Sequence, residues 1–220
     1  MSEFTVHSVP GSPFGRAVLA TLEEKRAPYR LAPVAPGTTK TPEYLTTLHP
    51  FGRVPVMEHD GFRLYETQAV LRYLDRVMPQ PSLTPSDIKR AARMDQVMNI
   101  NDWYLFHGVG NVIIFHRVIA PRLMGLVPDE DAIKAAMPKA HAVFNELARL
   151  LGDQPYFTGD TLSLADFLVA PAVEFFTATP EWSALGAPHA NLAGWMTRMQ
   201  ERPSMKATTW ERVSELAKAA

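Results

Sequence analysis

A serine hydroxyl close to the start of the chain is the first candidate for chemistry. Ser12 lies in the segment Val9-Pro10-Gly11-Ser12-Pro13, directly after a run of strand-forming residues. Serine is a favoured helix N-cap and proline a favoured first helical residue, so the segment predicts a turn from a strand into a helix. Two roles are open for Ser12: a plain N-cap, or a hydroxyl that donates a hydrogen bond to a bound anion.

The chain contains no cysteine, which limits the reactions it can perform. Disulfides are excluded, and so is any mechanism that uses a thiolate of the protein itself. Sulfur chemistry would need a ligand that brings the sulfur. The seven histidines are scattered and lack the His-Glu-x-x-His spacing of zinc enzymes, so no metal is predicted.

A second pair of residues with complementary chemistry is Glu66-Thr67. Thr67 is predicted to open a helix whose apolar stripe contains Val70, Tyr73 and Leu74. Helix N-termini bind anions through free N–H groups and the helix dipole, and the carboxylate of Glu66 can pair with an ammonium group. The pair therefore suits a zwitterionic ligand, and it equally suits a capped helix with an acidic first turn.

Composition and charge restrict the class of protein. The chain has 220 residues, enough for one large or two small domains, with 22 Lys+Arg against 23 Asp+Glu. A net charge of -1 argues against a nucleic-acid-binding surface, which needs a basic excess. No stretch is long and apolar enough for a membrane span, and the first residues lack a signal-peptide pattern, so a cytoplasmic protein is predicted.

The first eighty residues predict a small α/β arrangement of strand, helix, strand, hairpin and helix. The evidence is alternation of strand formers, helical spacing of Phe14, Val18 and Leu22, and the hairpin signal Asp60-Gly61. The predicted elements are the strand Phe4–Ser8, the helix from Pro13 to about Lys25, the strands Tyr29–Val34, Val56–His59 and Phe62–Tyr65, and the helix from about Thr67.

Beyond a proline-punctuated linker the sequence predicts only helices. Residues 86 to about 119 are expected to form one long helix, with Ile88, Met98 and Leu105 on its inner face. A Ser-x-x-acid capping box at Ser163 and Asp166 opens a later helix. The predicted fold class is therefore an α/β unit followed by an all-α unit.

Four segments together resemble the cytosolic glutathione transferase family. Residues 49–74 read His-Pro-Phe-Gly-Arg-Val-Pro-Val-Met-Glu-His-Asp-Gly-Phe-Arg-Leu-Tyr-Glu-Thr-Gln-Ala-Val-Leu-Arg-Tyr-Leu and are similar to its central motif, with His49 in place of asparagine and Thr67 in place of serine. The other segments are the turn 12–16, the stretch 157–166 and Arg-Pro-Ser at 202–204. The turn and the Pro-Phe-Gly-Arg-Val-Pro stretch look most like phi/theta-like, serine-type members of a bacterial kind.

This resemblance implies the GST fold in two domains. A thioredoxin-like glutathione-binding domain, βαβ followed by ββα, is expected over residues 1–79, a linker over 80–86, and a helical bundle over 87–220 that forms the second-substrate pocket. The resemblance also implies a homodimer in which Phe51 projects into a pocket of the partner subunit. Packing of Phe51 within its own loop is the alternative.

The resemblance further implies a binding site for glutathione as co-substrate. A cis bond between Val54 and Pro55 would turn the backbone of Val54 toward the cysteinyl part of the tripeptide. Thr67 and Glu66 would hold the carboxylate and the ammonium of the γ-glutamyl group. The remaining candidates, for the glycyl carboxylate or the rim of the site, are Arg53 and Lys40.

Ser12 is the expected catalytic residue, because its hydroxyl can donate to the glutathione sulfur. Ser8 and Tyr29 are rival hydroxyls, but Ser8 is predicted to end the first strand and Tyr29 to lie in the second. The expected contacts to the second substrate are Val9, Phe14, Trp103 and His107.

Three functional hypotheses follow from these residues. The leading one is a glutathione transferase that conjugates glutathione to small hydrophobic electrophiles or reduces organic peroxides. The second is a glutathione-dependent isomerase or dehalogenase on the same fold. The third is a non-catalytic binding or scaffold protein that has kept the fold.

Overall fold

The chain forms two compact units. In the computed structural model, which describes residues 3–35 and 37–219, one unit comprises Met1–Leu83 with Gln200–Ala220 and the other comprises Thr84–Met199. The sequence analysis assigned residues 200–220 to the helical domain. The structure groups them with the first unit because the helices that they form pack against it.

The first unit is a four-stranded sheet with helices. Its elements are β1 (Phe4–Ser8), α1 (Pro13–Glu24), β2 (Tyr29–Pro33), a 3₁₀ turn (Thr38–Lys40), α2 (Pro42–Thr47), β3 (Val56–His59), β4 (Phe62–Tyr65), α3 (Thr67–Val77), and, after the second unit in sequence, α11 (Pro203–Ala207) and α12 (Trp210–Ala219). The strand order is β2-β1-β3-β4. β1 and β2 run parallel, whereas β3 is antiparallel to both β1 and β4.

Local sequence signals account for most of these elements. Phe4, Val6 and Ser8 are buried on one face of β1, as the alternating pattern predicts. Asp60 and Gly61 both have positive φ, 51° and 78°, which is the backbone that a two-residue hairpin turn requires. The predicted strand, hairpin and helix order of this half is therefore confirmed.

A buried ion pair joins the end of α1 to the end of α3. Lys25 Nζ lies 2.8 Å from a carboxylate oxygen of Asp75, and it also donates to the carbonyl oxygens of Met78 and Pro81. The same Asp75 oxygen accepts the backbone N–H of Leu83 at 2.9 Å. The Lys25–Asp75 pair and its hydrogen bonds to the backbone therefore fix the segment that follows α3.

The end of the chain returns to α1. Arg202 and Ser204, at the start of α11, both donate to the carboxylate of Glu24. The guanidinium of Arg16 donates to the carbonyl oxygen of Met205 at 3.1 Å, and α12 packs against β2. These contacts hold α11 against α1 and α12 against β2.

Among the residues that the structure describes, the regular secondary structure of the second unit is helical, apart from one isolated bridge between Tyr156 and Gly159. Its elements are α4 (Ile88–Ile100), a π-helical stretch (Asn101–Gly110), α5 (Asn111–Ile114), a second π-helical stretch (Phe115–Ile119), α6 (Ala120–Met124), α7 (Glu130–Leu151), α8 (Leu164–Thr177), α9 (Trp182–Leu185) and α10 (Ala190–Glu201).

The long helix expected from residue 86 to about 119 is present, but it runs on to Met124 and is π-helical in two places. Met98 and Leu105 are fully buried as predicted. Ile88 was expected on the inner face and is 85% exposed, so that prediction is wrong. Ile88 occupies the first position of α4, where the helix has not yet reached the core.

Asp166 organises the core of the second unit. Its side chain accepts hydrogen bonds from the N–H and Oγ of Ser163, the N–H of Phe157 and Nε1 of Trp195, at 2.8–3.1 Å. Burial raises the pKa of Asp166, and the hydrogen bonds act in the opposite direction. The capping box predicted from the sequence is confirmed.

Candidate functional site

Three loops of the first unit open at one end of its sheet. The strand register aligns His7 with Val56 and Val56 with Tyr65. The end of β1, the beginning of β3 and the end of β4 are therefore neighbours. The turn after β1, the residues before β3 and the residues after β4 emerge side by side, and they contain the candidates Ser12, Val54 and Glu66.

Ser12 is the N-cap of α1. Its Oγ accepts the backbone N–H of Gly15 at 3.0 Å, and its own N–H donates to the carbonyl oxygen of Val9 at 3.2 Å. A hydroxyl has one proton to donate and two lone pairs. Capping uses a lone pair, so the proton stays available to a ligand at the helix N-terminus. The two roles proposed for Ser12 are therefore compatible.

Two close contacts determine the shape of this turn. A Cβ on Gly15 would lie 1.9 Å from Oγ of Ser8, so only glycine lets α1 approach β1 this closely. Gly11 has φ +83°, and a Cβ there would lie 2.8 Å from the indole of Trp210. No local pattern in the sequence predicts the contact of Trp210, because it joins residues that are far apart in the chain.

Neither of the two rival hydroxyls, those of Ser8 and Tyr29, is exposed at the turn that contains Ser12. Ser8 is 1% exposed, and among the residues described its Oγ has no hydrogen-bond partner. Tyr29 donates to the carboxylate of Glu23 at 2.7 Å. Burial, and secondarily the hydrogen bond to Glu23, raises the pKa of Tyr29, so its phenol stays protonated.

The peptide bond between Val54 and Pro55 is cis, as the resemblance implied. Pro55 is buried and Val54 partly exposed, directly before β3. Within residues 3–35 and 37–219, no protein group pairs with the backbone N–H or C=O of Val54. This segment therefore offers one backbone donor and one acceptor to an extended peptide.

Glu66 and Thr67 join β4 to α3 through an unusual backbone conformation. Glu66 has φ +69°, a region that residues other than glycine rarely adopt. It is exposed, and Thr67 is 8% exposed at the first position of α3. A non-glycine residue held in this region often marks a functional site. The carboxylate and the helix N-terminus are adjacent, as predicted.

Lys40 and Arg53 lie on the loops around Phe51. Lys40 Nζ donates to the carbonyl oxygen of Phe51 at 3.1 Å, and both cationic residues are exposed. The carbonyl oxygen of Arg53 accepts the hydroxyl proton of Tyr44 at 2.7 Å. Burial raises the pKa of Tyr44, which keeps this hydroxyl protonated. The sequence analysis missed Tyr44, because one tyrosine on a short helix gives no pattern.

His49 shapes the Phe51 loop from inside. It is 2% exposed, and its Nδ1 accepts the backbone N–H of Phe51 at 3.2 Å, as the asparagine of the family motif could do. Burial is the main cause that lowers the pKa of His49. The loop leaves Phe51 63% exposed, with its ring 5.9 Å from that of His49.

The four residues expected near the second substrate are divided between the units. Val9 and Phe14 are half-buried on either side of Ser12 in the first unit. Trp103 and His107 lie in the first π-helical stretch of the second unit, exposed, with ring centroids 6.4 Å apart. Such π-helical stretches occur frequently at functional sites.

Two features are absent from the residues that the structure describes. No cluster of three or more His, Cys, Asp or Glu side chains with the arrangement of a metal site occurs in residues 3–35 and 37–219. No helix in that part of the chain has both the length and the apolar character needed to cross a membrane.

Comparison with known proteins identifies the family of the chain. The family described as "Glutathione S-transferase, N-terminal domain" matches residues 11–77, and "Glutathione S-transferase, C-terminal domain" matches residues 130–198. Glutathione S-transferase F14 of Arabidopsis thaliana is 31% identical over 194 residues, 86% of this chain and 76% of that protein.

Solved structures show the same fold. Glutathione transferase F7 from Populus trichocarpa superposes with a TM-score of 0.83 at 25% identity, covering 97% of this chain and 99% of that one. A glutathione S-transferase-I bound with lactoylglutathione superposes with a TM-score of 0.80 at 26% identity, covering 99% of both chains.

The fold and the site define a thioredoxin-like enzyme unit joined to a helical unit. The chain belongs to the glutathione S-transferase family and is a glutathione transferase.

Proposed function

We propose that the protein binds reduced glutathione where the three loops meet, stabilises its thiolate with Ser12, and transfers it to small hydrophobic electrophiles. The observation that supports this most directly is the alignment of His7, Val56 and Tyr65 across three strands. Because of this alignment, the hydroxyl of Ser12, the unpaired backbone groups of Val54 and the carboxylate of Glu66 all lie on loops at one end of the sheet.

Each part of the tripeptide has a matching group. The backbone N–H and C=O of Val54 pair with the cysteinyl residue as a short antiparallel strand. The N-terminus of α3 with Thr67 receives the γ-glutamyl carboxylate, and Glu66 receives the ammonium. Arg53 and Lys40 receive the glycyl carboxylate, for which Lys40 exchanges its contact with the carbonyl oxygen of Phe51.

Ser12 acts on the sulfur through a charge-assisted hydrogen bond. Such a bond contributes about 1.5–3 kcal/mol, which lowers a thiol pKa from about 8.5 toward 7. Near neutral pH the thiolate fraction rises roughly fifteenfold, of which about fivefold is lost through lower nucleophilicity. The net gain is only about threefold. Most of the rate enhancement therefore comes from holding the thiolate next to the electrophile.

We propose that Val9 and Phe14, which flank Ser12 in the first unit, contact the electrophile. Their surfaces are apolar or aromatic, which suits aromatic halides, activated alkenes, epoxides and organic peroxides. With a peroxide the same thiolate would attack one oxygen, break the O–O bond and release an alcohol, which leaves glutathione sulfenic acid. A second glutathione thiol would then condense with it to give glutathione disulfide and water.

We also propose a homodimer and a cytoplasmic location. Phe51 is a large exposed apolar side chain on a loop fixed by His49. The second unit carries an apolar cavity of about 590 Å³ between α4 and α7, lined by Ile100, Tyr104 and Val143 among others. A twofold dimer can place Phe51 of each copy in this cavity of the other.

Ultraviolet titration of bound glutathione tests the role of Ser12. Ser12→Ala should raise the pKa of the bound thiol by about 1–2 units, because the donor to the thiolate is lost. Ser8→Ala is the matched control and should leave that pKa unchanged. A thiolate band that persists equally near neutral pH in wild type and Ser12→Ala would refute the proposal.

Product analysis separates the functional hypotheses. A transferase forms a glutathione adduct with an aromatic halide, which mass spectrometry detects. An isomerase returns glutathione unchanged, and a scaffold protein forms no product with any electrophile. No heat of glutathione binding in calorimetry would contradict both enzymatic hypotheses and leave the scaffold protein.

A further inference from the structure

A small basic cleft lies in the second unit, and none of the residues that line it is assigned to glutathione or to the electrophile above. It occupies about 260 Å³ between the first turns of α4, the carboxyl end of α7 and the segment 154–158. The polar residues that line it are Lys89, Arg90, Arg93, Arg149, Gln154 and Thr158.

The positive charge of this cleft is only partly neutralised. Arg149 forms two hydrogen bonds of 2.7 Å with Glu146, and Arg93 donates to the side chain of Gln96 at 2.8 Å. For Lys89 and Arg90, no side-chain partner occurs in the part of the chain that the structure describes. Two cationic side chains therefore remain available to an anion.

The position of these cations is unfavourable for α4 itself. Lys89 and Arg90 stand in the first turn, after the N-cap Asp87, and that turn contains no acidic residue. A helix N-terminus carries partial positive charge, so cations there destabilise the helix. The carboxylate of the N-cap Asp87, which accepts the backbone N–H of Arg90 at 2.9 Å, offsets only part of this positive charge. An anion in the cleft would offset the rest, and such local conflicts are expected at functional sites.

The opposite wall provides a buried hydroxyl. Thr158 is 2% exposed, and its Oγ1 has no hydrogen-bond partner among residues 3–35 and 37–219. Buried polar groups are normally satisfied, so this orphan points to a missing partner. Gly159 has φ +118°, and a Cβ there would lie 2.9 Å from Nη1 of Arg90. The glycine lets the guanidinium lie against the same wall.

Hydrogen bonds within the second unit hold the segment around Thr158, which forms this wall, in place. Tyr156 and Gly159 exchange backbone hydrogen bonds of 3.1 and 3.2 Å, and the N–H of Phe157 donates to Asp166 at 3.1 Å. The side chain of Arg198 donates to the carbonyl oxygen of Pro155 at 3.1 Å. A preorganised wall reduces the entropy lost on binding.

We propose that this cleft binds a small soluble phosphoryl anion, held by Lys89, Arg90 and the hydroxyl of Thr158. Guanidinium groups match the geometry of phosphate oxygens, and lysine contributes a point charge. The volume of about 260 Å³ suits a small molecule. The anion would sit between the N-terminus of α4 and Thr158.

Calorimetric titration of the full chain with inorganic pyrophosphate at low ionic strength tests this site. Arg90→Gln and Lys89→Gln combined should weaken binding by about tenfold or more, because charge-assisted contacts are lost. Lys134→Gln and Lys139→Gln combined remove the same number of positive charges from the exposed part of α7 and should leave affinity nearly unchanged. Equal weakening by this control pair would show diffuse attraction and overturn the proposal, as would no binding to wild type.

The hydroxyl has its own test. Thr158→Val should weaken pyrophosphate binding several-fold, and Thr158→Ser, which keeps the hydroxyl, should restore it. Loss of binding in both variants would contradict a role for the hydroxyl. Sedimentation with vesicles that contain an anionic phospholipid distinguishes the sources of phosphate, since binding to vesicles but not to pyrophosphate would overturn the soluble-ligand assignment.

This site is independent of glutathione binding. Conjugation of an aromatic halide by the Lys89→Gln/Arg90→Gln variant in the absence of pyrophosphate should equal that of wild type. Failure of the anion site thus leaves the proposed transferase reaction unaffected, and the two can be judged separately.

Discussion

Ser12 Oγ lies 3.0 Å from the backbone nitrogen of Gly15, so the proposed catalytic hydroxyl is also the cap of α1. Ser12→Ala should therefore reduce stability as well as activity. Loss of an N-cap typically costs about 1 kcal/mol. Urea unfolding should show this loss, and conjugation assays should show a lower rate at saturating glutathione.

A matched cap deletion separates the two effects. Thr41 caps α2 by accepting the N–H of Tyr44 at 3.3 Å. Thr41→Ala should cost a similar amount of stability and leave conjugation close to wild type. If both variants lose activity in proportion to stability, the hydroxyl of Ser12 has no role beyond folding.

The buried imidazole of His49 should make stability depend on pH. Burial lowers its pKa below the ordinary value of 6.5, and the neutral ring accepts the N–H of Phe51. The unfolded chain then takes up the proton more readily than the folded chain. The contribution of His49 to the free energy of unfolding is therefore complete above pH 6.5, and it is lost as the pH falls through the lowered pKa.

His49→Asn isolates this contribution, because asparagine keeps an acceptor and does not titrate. Free energies of unfolding measured in urea between about pH 7.5 and 5 should fall more steeply for wild type than for His49→Asn. Parallel curves for the two proteins would contradict the assignment.

The buried pair Lys25–Asp75 should be important for stability. Lys25→Met leaves the Asp75 carboxylate buried without its cation, which typically costs about 3–5 kcal/mol. Asp75→Asn should cost less, since an amide oxygen can still accept the N–H of Leu83. The exposed pair Arg212–Glu215 is the control, and Arg212→Met should have a much smaller effect in the same denaturation experiment. Equal effects at both pairs would contradict this ranking.

Phe51 should control dimer formation. Burying a phenylalanine contributes about 1.5–3 kcal/mol, and a twofold dimer buries two copies. Phe51→Ser should therefore raise the dimer dissociation constant by well over about tenfold in sedimentation equilibrium. Phe62→Ser removes another exposed ring, 50% exposed on β4, and should not change it. A monomeric wild type, or a Phe51→Ser protein as dimeric as wild type, would refute the dimer role.

Short-range sequence signals predicted much of the fold. The Asp60-Gly61 hairpin, the Ser12 cap and the Ser163–Asp166 box depend on neighbours within a few residues, and the structure contains all of them. The cis bond at Val54-Pro55 followed from the resemblance alone. Alignment of the candidate loops then follows from strand register, which the sequence does not determine by itself.

Features that join distant parts of the chain could not be predicted. The contacts of Arg202 with Glu24 and of Trp210 with Gly11 span nearly the whole sequence and follow no periodic pattern. The π-helical stretches change the register of side chains after Asn101 without any sequence signal. The basic cleft was missed because its residues come from three separate elements.

Trp210 covers Gly11, and α11 is tied to α1, so the sheet unit is completed only by residues that follow the whole helical unit in the sequence. During synthesis the amino-terminal half must therefore wait, with α1 partly bare, until the whole helical unit has emerged. A fragment ending near Leu83 would expose that face to water and to other chains. Aggregation of such a truncated product is the expected fate, and chaperones would have to shield it.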